Sequence, residues 1–260
     1  MSENQEPTPG SDAVDRRVEV ERLLGEDETV LGSIWRHEQE GLSLHEMAER
    51  EGVTTGPIYA ARSLIRVLRD GYLPTGPTVA AQSAARLRAW LKGKDLSPEL
   101  RAALTEQESL LMSRAEDQQA QTEEVEEAVE ATRAAEATGR PGIYVYTLPH
   151  YLRHPYDPDT GRTLLKVGHS SVDVYYRAGS QGRLTALPED PILLRIYPSE
   201  ESAHVEQQFH AWLRDADHPG SRARRGGSEW FVTSTKFLDR VARSMGLEVQ
   251  VVNKFEAGEE

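Results

Sequence analysis

The segment GIYVYTLP, at residues 142–149, decides the fold class of this chain. The stretch before it is rich in alanine and acidic residues, which is typical of helices, whereas here β-branched and aromatic residues alternate. In a strand, Tyr144 and Tyr146 lie on the same face, because successive side chains point to opposite faces. We therefore predict an α+β protein in which an all-helical N-terminal part precedes a domain built on a sheet.

The composition excludes several classes of protein. The 260 residues include no cysteine, which rules out disulfides, thiolate metal sites and cysteine nucleophiles. No apolar run approaches the length of a membrane span, and the polar N-terminus lacks the apolar core of a secretory signal. We expect a cytoplasmic protein with no membrane partner.

The charge is unevenly distributed along the chain. The net charge is −13, yet residues 142–245 hold 13 Lys/Arg and 12 Asp/Glu, so the acidic excess lies elsewhere. A near-neutral domain with clustered arginines is compatible with DNA as a partner. The clustered arginines are Arg222, Arg224 and Arg225.

The chain divides into five predicted segments. Residues 105–138 hold 10 acidic and 2 basic residues without proline or glycine, which indicates a long polar helix. Its apolar seam is too short for a stable coiled coil, so we expect at most a weak homodimer through it. The segments are a disordered start (1–15), a helical region (16–104), the acidic helical linker (105–140), the sheet domain (141–250) and an acidic tail (251–260).

Residues 44–65, LHEMAEREGVTTGPIYAARSLI, have the spacing of a helix-turn-helix. Gly52 permits the positive φ of the turn, and Ile58 is placed to pack the second helix onto the first. An ordinary helical hairpin uses the same residue types. Arg62, Arg66 and Arg69 form a stripe on the second helix that either contacts DNA phosphates or is a solvated face.

Three runs in the C-terminal part are predicted strands: residues 142–148, 163–169 and 191–198. We predict a three-stranded antiparallel sheet flanked by helices. The helix after the third strand is expected to bury Val205, Phe209 and Trp212, and a last helix to begin at Ser234 or Thr235.

Five short motifs occur in a fixed order in this part of the chain. They are GIY (142–144), KVG (166–168), Arg177, Glu206 and GSEWF (227–231). Over about residues 141–235 this arrangement resembles the GIY-YIG nuclease superfamily, with KVG at the place of YIG. The last motif is similar to that of a phage-type branch often labelled a DNA-binding domain.

The resemblance implies an endonuclease that hydrolyses DNA phosphodiester bonds with one divalent metal, Mg²⁺ or Mn²⁺. It makes Glu206 the metal ligand and Arg177 the group that stabilises phosphate charge, although Arg183 competes for the latter role. Tyr144 would position or activate the attacking water. The N-terminal helical region would then be a DNA-binding module that targets the nuclease domain.

The sequence also departs from the family pattern. Lys166 stands where the family name has tyrosine, and it either binds phosphate or acts as a base. The late asparagine has no counterpart, so Glu229 is a candidate ligand or a structural residue. His169 is a candidate proton shuttle, and His210 lies one helical turn from Glu206.

Two alternatives to the endonuclease remain. The altered motifs favour a noncatalytic DNA-binding or regulatory protein on the same scaffold. The acidic balance favours, more weakly, a helical interaction protein with no role on nucleic acid.

Overall fold

The computed structural model describes residues 11–53, 55–157, 161–170, 189–218, 220 and 229–255. These residues form ten helices and five strands, so the predicted α+β class is confirmed. The helices are α1 (Ser11–Glu26), α2 (Val30–Gln39), α3 (Leu44–Arg50), α4 (Thr55–Asp70), α5 (Pro77–Leu91), α6 (Pro98–Ala115), α7 (Gln118–Glu136), α8 (Pro149–Arg153), α9 (Ser202–Asp215) and α10 (Thr235–Ser244). The strands are β1 (Gly142–Thr147), β2 (Thr163–Ser170), β3 (Ile192–Pro198), β4 (Trp230–Thr233) and β5 (Gln250–Val251).

The first six helices share one apolar core. Each contributes a stripe of buried aliphatic or aromatic residues at helical spacing, as an amphipathic helix does when it packs against a neighbour. Fully buried members are Val20, Leu24, Ile34, Leu68, Leu87, Leu104 and Leu111. None of the helices in the described ranges is both long and apolar enough to cross a bilayer.

Helices α3 and α4 are the two helices of the predicted helix-turn-helix. Ser43 caps α3 by accepting from the Glu46 amide, and Gly52 after its end has a φ of 63°. The Val53 amide donates to the Ala48 carbonyl at 2.9 Å, and Ile58 is fully buried. Two consecutive helices are therefore present, whereas the helix-turn-helix motif and its use in binding DNA stay predictions.

The expected long acidic helix is two helices. Glu116 ends α6, and the Asp117 side chain accepts from the Ala120 amide and begins α7. α7 packs against β3, where Thr132 Oγ1 accepts from the Leu193 amide at 3.0 Å. This contact gives α7 a place in the C-terminal unit, while the division into domains and the weak homodimer stay predictions.

The sheet has five strands in the order β4-β2-β1-β3-β5, not the three that we predicted. The predicted strands form its antiparallel centre, with Tyr144 opposite Gly168 on one side and Ile196 on the other. The two added strands are edges of four and two residues. Such short strands carry too little alternation to stand out in a sequence.

Helices α9 and α10 cover one side of this sheet. Val205, Phe209 and Leu213 of α9 are buried against Ile143 and Val145 of β1. The prediction placed Trp212 in this stripe, but its side chain is 49% exposed and Leu213 takes the buried position. Residues 205, 209 and 213 follow at steps of four, so the buried stripe passes through Leu213 and leaves Trp212 at its outer edge.

The last described residues also belong to the core. Phe255 is buried, and the side-chain amide of Asn253 donates to the carbonyls of Ala128 and Leu193 and to the Thr132 hydroxyl. Gln82 of α5 donates to the Phe255 carbonyl at 2.9 Å and links the helical region to the sheet domain. Residues 251–255, which were expected to belong to an acidic tail, are therefore packed between the helical region and the sheet domain.

Candidate active site

The candidate site is arranged around Gly168 near the end of β2. Among the described residues the register of β4 on β2 runs from Thr163 to Lys166, and the Val167 amide donates to the Glu229 carbonyl just beyond it. Tyr144 faces Gly168 in the register of β1 and β2. Because Gly168 has no side chain, neighbouring side chains can approach the backbone of β2 closely at this position.

Two carboxylates approach Gly168. A Cβ atom placed on this glycine would lie 3.8 Å from Glu206 Oε1 and 3.5 Å from Glu229 Oε2. The Glu206 side chain is 16% exposed and that of Glu229 is 43% exposed. Glycine at position 168 therefore leaves open the space into which both carboxylates point.

Helix α9 brings Glu206 to this edge. Val205 and Phe209 are buried in the core, and Glu206 follows directly at the border of that stripe. Glu229 is held by its backbone, because its carbonyl accepts from the Val167 amide at 2.8 Å. Both carboxylates thus depend on the packing against β2 for their position.

Two basic groups contact the two carboxylates. Lys166 Nζ lies 3.3 Å from Glu229 Oε2, and His169 Nε2 lies 3.6 Å from Glu206 Oε2. The other ring nitrogen of His169 is 3.3 Å from Ser202 Oγ at the start of α9. The site therefore alternates acidic and basic side chains along one edge of β2.

His210 does not point at this cluster. Its Nε2–H donates to the Val167 carbonyl at 3.0 Å, and its ring packs on Phe231 with a centroid distance of 4.9 Å. These contacts join α9 to β2 and β4. His210 is thus a structural residue, whereas His169 remains beside the carboxylate.

The two tyrosines of β1 form hydrogen bonds with groups other than Glu206 and Glu229. The Tyr144 hydroxyl donates to the Arg140 carbonyl, and Tyr146 donates to Glu136 Oε1 at 2.8 Å. Burial, reinforced by the negative charge of Glu136, raises the pKa of Tyr144 to about 12. The pKa of Tyr146 is raised further, first by burial and then by Glu136, so both phenols stay protonated at neutral pH.

Several predicted site residues lie outside the described part of the chain. They are Arg177, Arg183, Arg222, Arg224 and Arg225. Their assignment to phosphate binding stays a prediction that follows from the family resemblance and the charge pattern.

The predicted arginine stripe of α4 contacts other residues of the helical region. Arg62 is paired with Glu38, and the Arg66 guanidinium lies 3.8 Å from the centroid of the Tyr72 ring. Arg69 Nη2 is 2.9 Å from Asp70 Oδ2. These partly exposed contacts reduce the charge that α4 offers to a DNA backbone.

Oxygen donors and the open space at Gly168 suit a hard divalent cation. Mg²⁺ and Mn²⁺ prefer carboxylate oxygens, and Mg²⁺ usually keeps several of its waters. Within the described residues, no three His, Cys, Asp or Glu side chains group closely enough to hold a metal ion. Glu206 and Glu229 therefore fit such a cation only if water supplies most of its ligands.

The comparison with protein families agrees with this region. Residues 142–246 match the T5orf172 domain. This domain is nuclease-related, and the match includes β1, β2, α9 and β4, which carry the candidate site. Searches among curated proteins and among solved structures found no match.

Sequence reasoning named most of the cluster but missed how its members meet. It treated Lys166 and Glu229 as separate departures from the motif pattern, although the two form an ion pair. It also gave Gly168 no role beyond closing the second motif. The signal of this neighbouring strand is the run WFVT after Glu229, and its four residues are too few to predict β4 by themselves.

Proposed function

We propose that this protein is a metal-dependent endonuclease that hydrolyses phosphodiester bonds of DNA at the Gly168 edge of β2. The observation that supports it is the convergence of Glu206, Glu229, Lys166 and His169 around one glycine. The match of the same segment to a nuclease-related domain supports it independently. The N-terminal helical region would hold the DNA and raise the local concentration of the scissile strand at this site.

Glu206 and Glu229 would hold Mg²⁺ or Mn²⁺, whose charge stabilises the oxygens that become more negative as a phosphodiester is cleaved. Glu206 is the principal ligand in this proposal, because it is the less exposed of the two carboxylates. Glu229 lies in the segment that lacks the family's late asparagine, and it would supply a second oxygen to the same cation.

The remaining side chains would act on the substrate and on a proton. Lys166 is a compact cation beside the carboxylates and would bind a nonbridging phosphate oxygen as a point charge. His169, held between Glu206 and Ser202, would accept the proton of the attacking water. Arg177 enters through the family resemblance as the guanidinium that binds the phosphate in the transition state.

Plasmid nicking tests the proposal. Purified protein with Mn²⁺ should convert supercoiled DNA to the open circular form, and Glu206→Gln should abolish the conversion. Asp215→Asn is the matched control, because it makes the same change at an exposed carboxylate of the same helix. Nicking that persists in Glu206→Gln would refute this site.

A noncatalytic DNA-binding protein is the second candidate. The observation that favours it is the Tyr144 phenol, whose raised pKa and bond to the Arg140 carbonyl remove it from the role of a base. The protein would then bind DNA with an affinity that falls steeply with salt, without cutting the strand in Mg²⁺ or Mn²⁺. Gel-shift and nicking assays on the same preparation separate the two functions.

A further inference from the structure

Two exposed histidines, His150 and His154, lie one helical turn apart at α8. The His154 amide donates to the His150 carbonyl at 2.9 Å, so both residues belong to the same turn, although α8 itself ends at Arg153. Pro155 follows directly, and a proline does not continue a helix. Residues at i and i+4 lie on the same face of a helix, so the two imidazoles project to the same side.

The rings of His150 and His154 are at the distance of a chelating pair. Their centroids are 5.0 Å apart. A transition metal lies about 2.0–2.1 Å from a ring nitrogen that binds it, and therefore about 3.2 Å from the centroid of that ring. Two rings that share one ion at this separation make an angle of about 100° at the metal. That angle lies between about 90° for a square-planar ion and about 109° for a tetrahedral one.

The ring nitrogens of this pair are available to a ligand. In the described part of the chain, His150 and His154 form hydrogen bonds through their backbones, and no hydrogen bond to their ring nitrogens occurs there. Because both residues are exposed, rotation about their side-chain torsions can turn one nitrogen of each ring towards a common ion. Five of the eight histidines instead use a ring nitrogen in a contact with another residue: His37, His169, His204, His210 and His218.

The charges of this turn suit a cation. Arg153 is the basic residue between the two histidines, and its Nη2 lies 3.4 Å from Glu189 Oε1. The other carboxylate oxygen of Glu189 accepts from the His150 amide at 2.9 Å. The negative charge of Glu189 therefore offsets that of Arg153 and lies at the start of the same turn, which lowers the repulsion that an incoming cation meets.

Helix α8 joins the helical region to the sheet domain. Gln82 of α5 donates to the Leu152 carbonyl at 3.2 Å, and the Thr163 hydroxyl of β2 donates to the Tyr151 carbonyl at 2.6 Å. The Arg153 side chain also donates to α7. A helix of five residues is too short to be stable by itself, so α8 depends on such contacts and on anything else that holds its turn together.

We propose that His150 and His154 chelate a divalent transition-metal ion of the class that prefers imidazole, namely Zn²⁺, Ni²⁺ or Cu²⁺. Two histidines at i and i+4 on one helix supply zinc ligands in metalloproteases. Here water supplies the other ligands, since among the residues that the structure describes no three His, Cys, Asp or Glu side chains can hold a metal together. The bound ion stabilises the turn, and with it the contacts of α8 to α5 and β2. This site is separate from Glu206 and needs neither DNA nor hydrolysis.

Calorimetric titration with Zn²⁺ and with Ni²⁺ tests the site. The parent protein is the full chain with Glu206→Gln and without a histidine tag, so that neither the candidate active site nor a tag supplies the signal. His150→Gln and His154→Gln should each weaken binding about tenfold or more, because a single imidazole loses the advantage of the chelate. His45→Gln, at an exposed histidine of α3, is the matched control and should leave the affinity unchanged.

Thermal melting separates loss of the metal from a change in the fold. With free Ni²⁺ at about 100 times Kd, the melting temperature of the parent protein should rise by about 5 °C. Each histidine variant should melt with the parent in the absence of metal and should lose this rise in its presence. Mg²⁺ prefers oxygen ligands, so any shift that it causes should be the same in the parent and in the variants.

Unchanged affinity for Zn²⁺ and Ni²⁺ in the double variant of His150 and His154 would overturn the proposal. An equal loss of affinity in His45→Gln would also overturn it, because exposed histidines would then bind the ions singly. Electron paramagnetic resonance of one equivalent of Cu²⁺ on the parent protein gives a count that does not depend on either variant. Coupling of the copper to two imidazole nitrogens supports the chelate, and coupling to only one overturns it.

Discussion

Lys166 and Glu229 form an ion pair at 3.3 Å across the edge of β2 and β4. In the resemblance to the GIY-YIG family, Lys166 stands at the tyrosine of the second motif, and Glu229 lies in the segment that lacks the late asparagine. The structure therefore shows that two departures from the pattern are in direct contact.

This pair predicts how cation binding responds to Lys166. In Lys166→Met, the affinity for Mn²⁺ should rise about three- to tenfold, because a positive charge beside the Glu229 carboxylate is removed. The free Mn²⁺ signal in electron paramagnetic resonance measures the affinity directly. Nicking should nevertheless fall, since the phosphate loses its point charge.

The matched control for Lys166→Met is Lys92→Met, at an exposed position in the helical region. It should leave both the Mn²⁺ affinity and the nicking rate unchanged. Weaker Mn²⁺ binding in Lys166→Met would contradict the prediction and would show that the lysine instead holds Glu229 in place.

The position of Gly168 beside two carboxylates predicts that a substitution there weakens cation binding without disturbing the fold. In Gly168→Ala, the new methyl group would contact the carboxylates of Glu206 and Glu229 at 3.5 to 3.8 Å, which is ordinary packing. We expect a normal melting temperature and at least a tenfold loss of Mn²⁺ affinity, because the methyl group fills the space between the oxygens. Calorimetric titration and thermal melting measure the two effects.

Gly25→Ala is the control for Gly168→Ala, because a Cβ atom there meets no other atom within 4 Å. This change lies in α1 and should stabilise the protein slightly, by about 0.5–1 kcal/mol, without affecting Mn²⁺. If Gly168→Ala bound Mn²⁺ as the wild type does, the cation would not lie between these carboxylates.

The raised pKa of Tyr144 predicts that the stability of the protein falls at alkaline pH. Its pKa in the folded protein is raised to about 12 from an ordinary value of 10, so the folded state disfavours the phenolate. Its contribution to the free energy of unfolding is complete below about pH 10 and is lost as the pH rises towards 12. Urea denaturation between pH 9 and 11.5 should show this loss.

In Tyr144→Phe, the loss of stability above pH 10 should be smaller than in the wild type, because this titration is absent. The missing hydrogen bond to the Arg140 carbonyl should cost about 1 kcal/mol at neutral pH. Nicking by the same variant tests the role of Tyr144. Nicking that persists indicates a structural tyrosine, whereas complete loss of nicking would indicate that the phenol takes part in catalysis.

Substitutions of the two histidines near β2 should have different effects, one on the nicking rate and the other on thermal stability. His169→Ala should lower the nicking rate about 10²- to 10⁴-fold, as expected for a group that accepts a proton, with little change in melting temperature. His210→Ala should lower the melting temperature, because it breaks the bond to the Val167 carbonyl and the packing on Phe231. Equal effects of both changes on the rate would contradict a special role for His169.

Local patterns predicted much of the fold. Alternation found the three central strands, and the start of α10 was expected at Ser234 or Thr235, where the Ser234 side chain accepts from the Phe237 amide. Gly52 was predicted to take a positive φ, and it does. Such features depend on residues a few positions apart, because backbone sterics and short hydrogen bonds decide them.

The sequence by itself determined the α+β class, the central strands and the residue types available for phosphate chemistry. Only the tertiary structure decided that Lys166 meets Glu229, that Leu213 rather than Trp212 is buried, and that α7 packs on β3. These contacts join residues whose separation along the chain carries no periodic signal. These contacts form only in the complete fold, because the packing of the sheet against its helices is the one that buries apolar surface and pairs the buried polar groups.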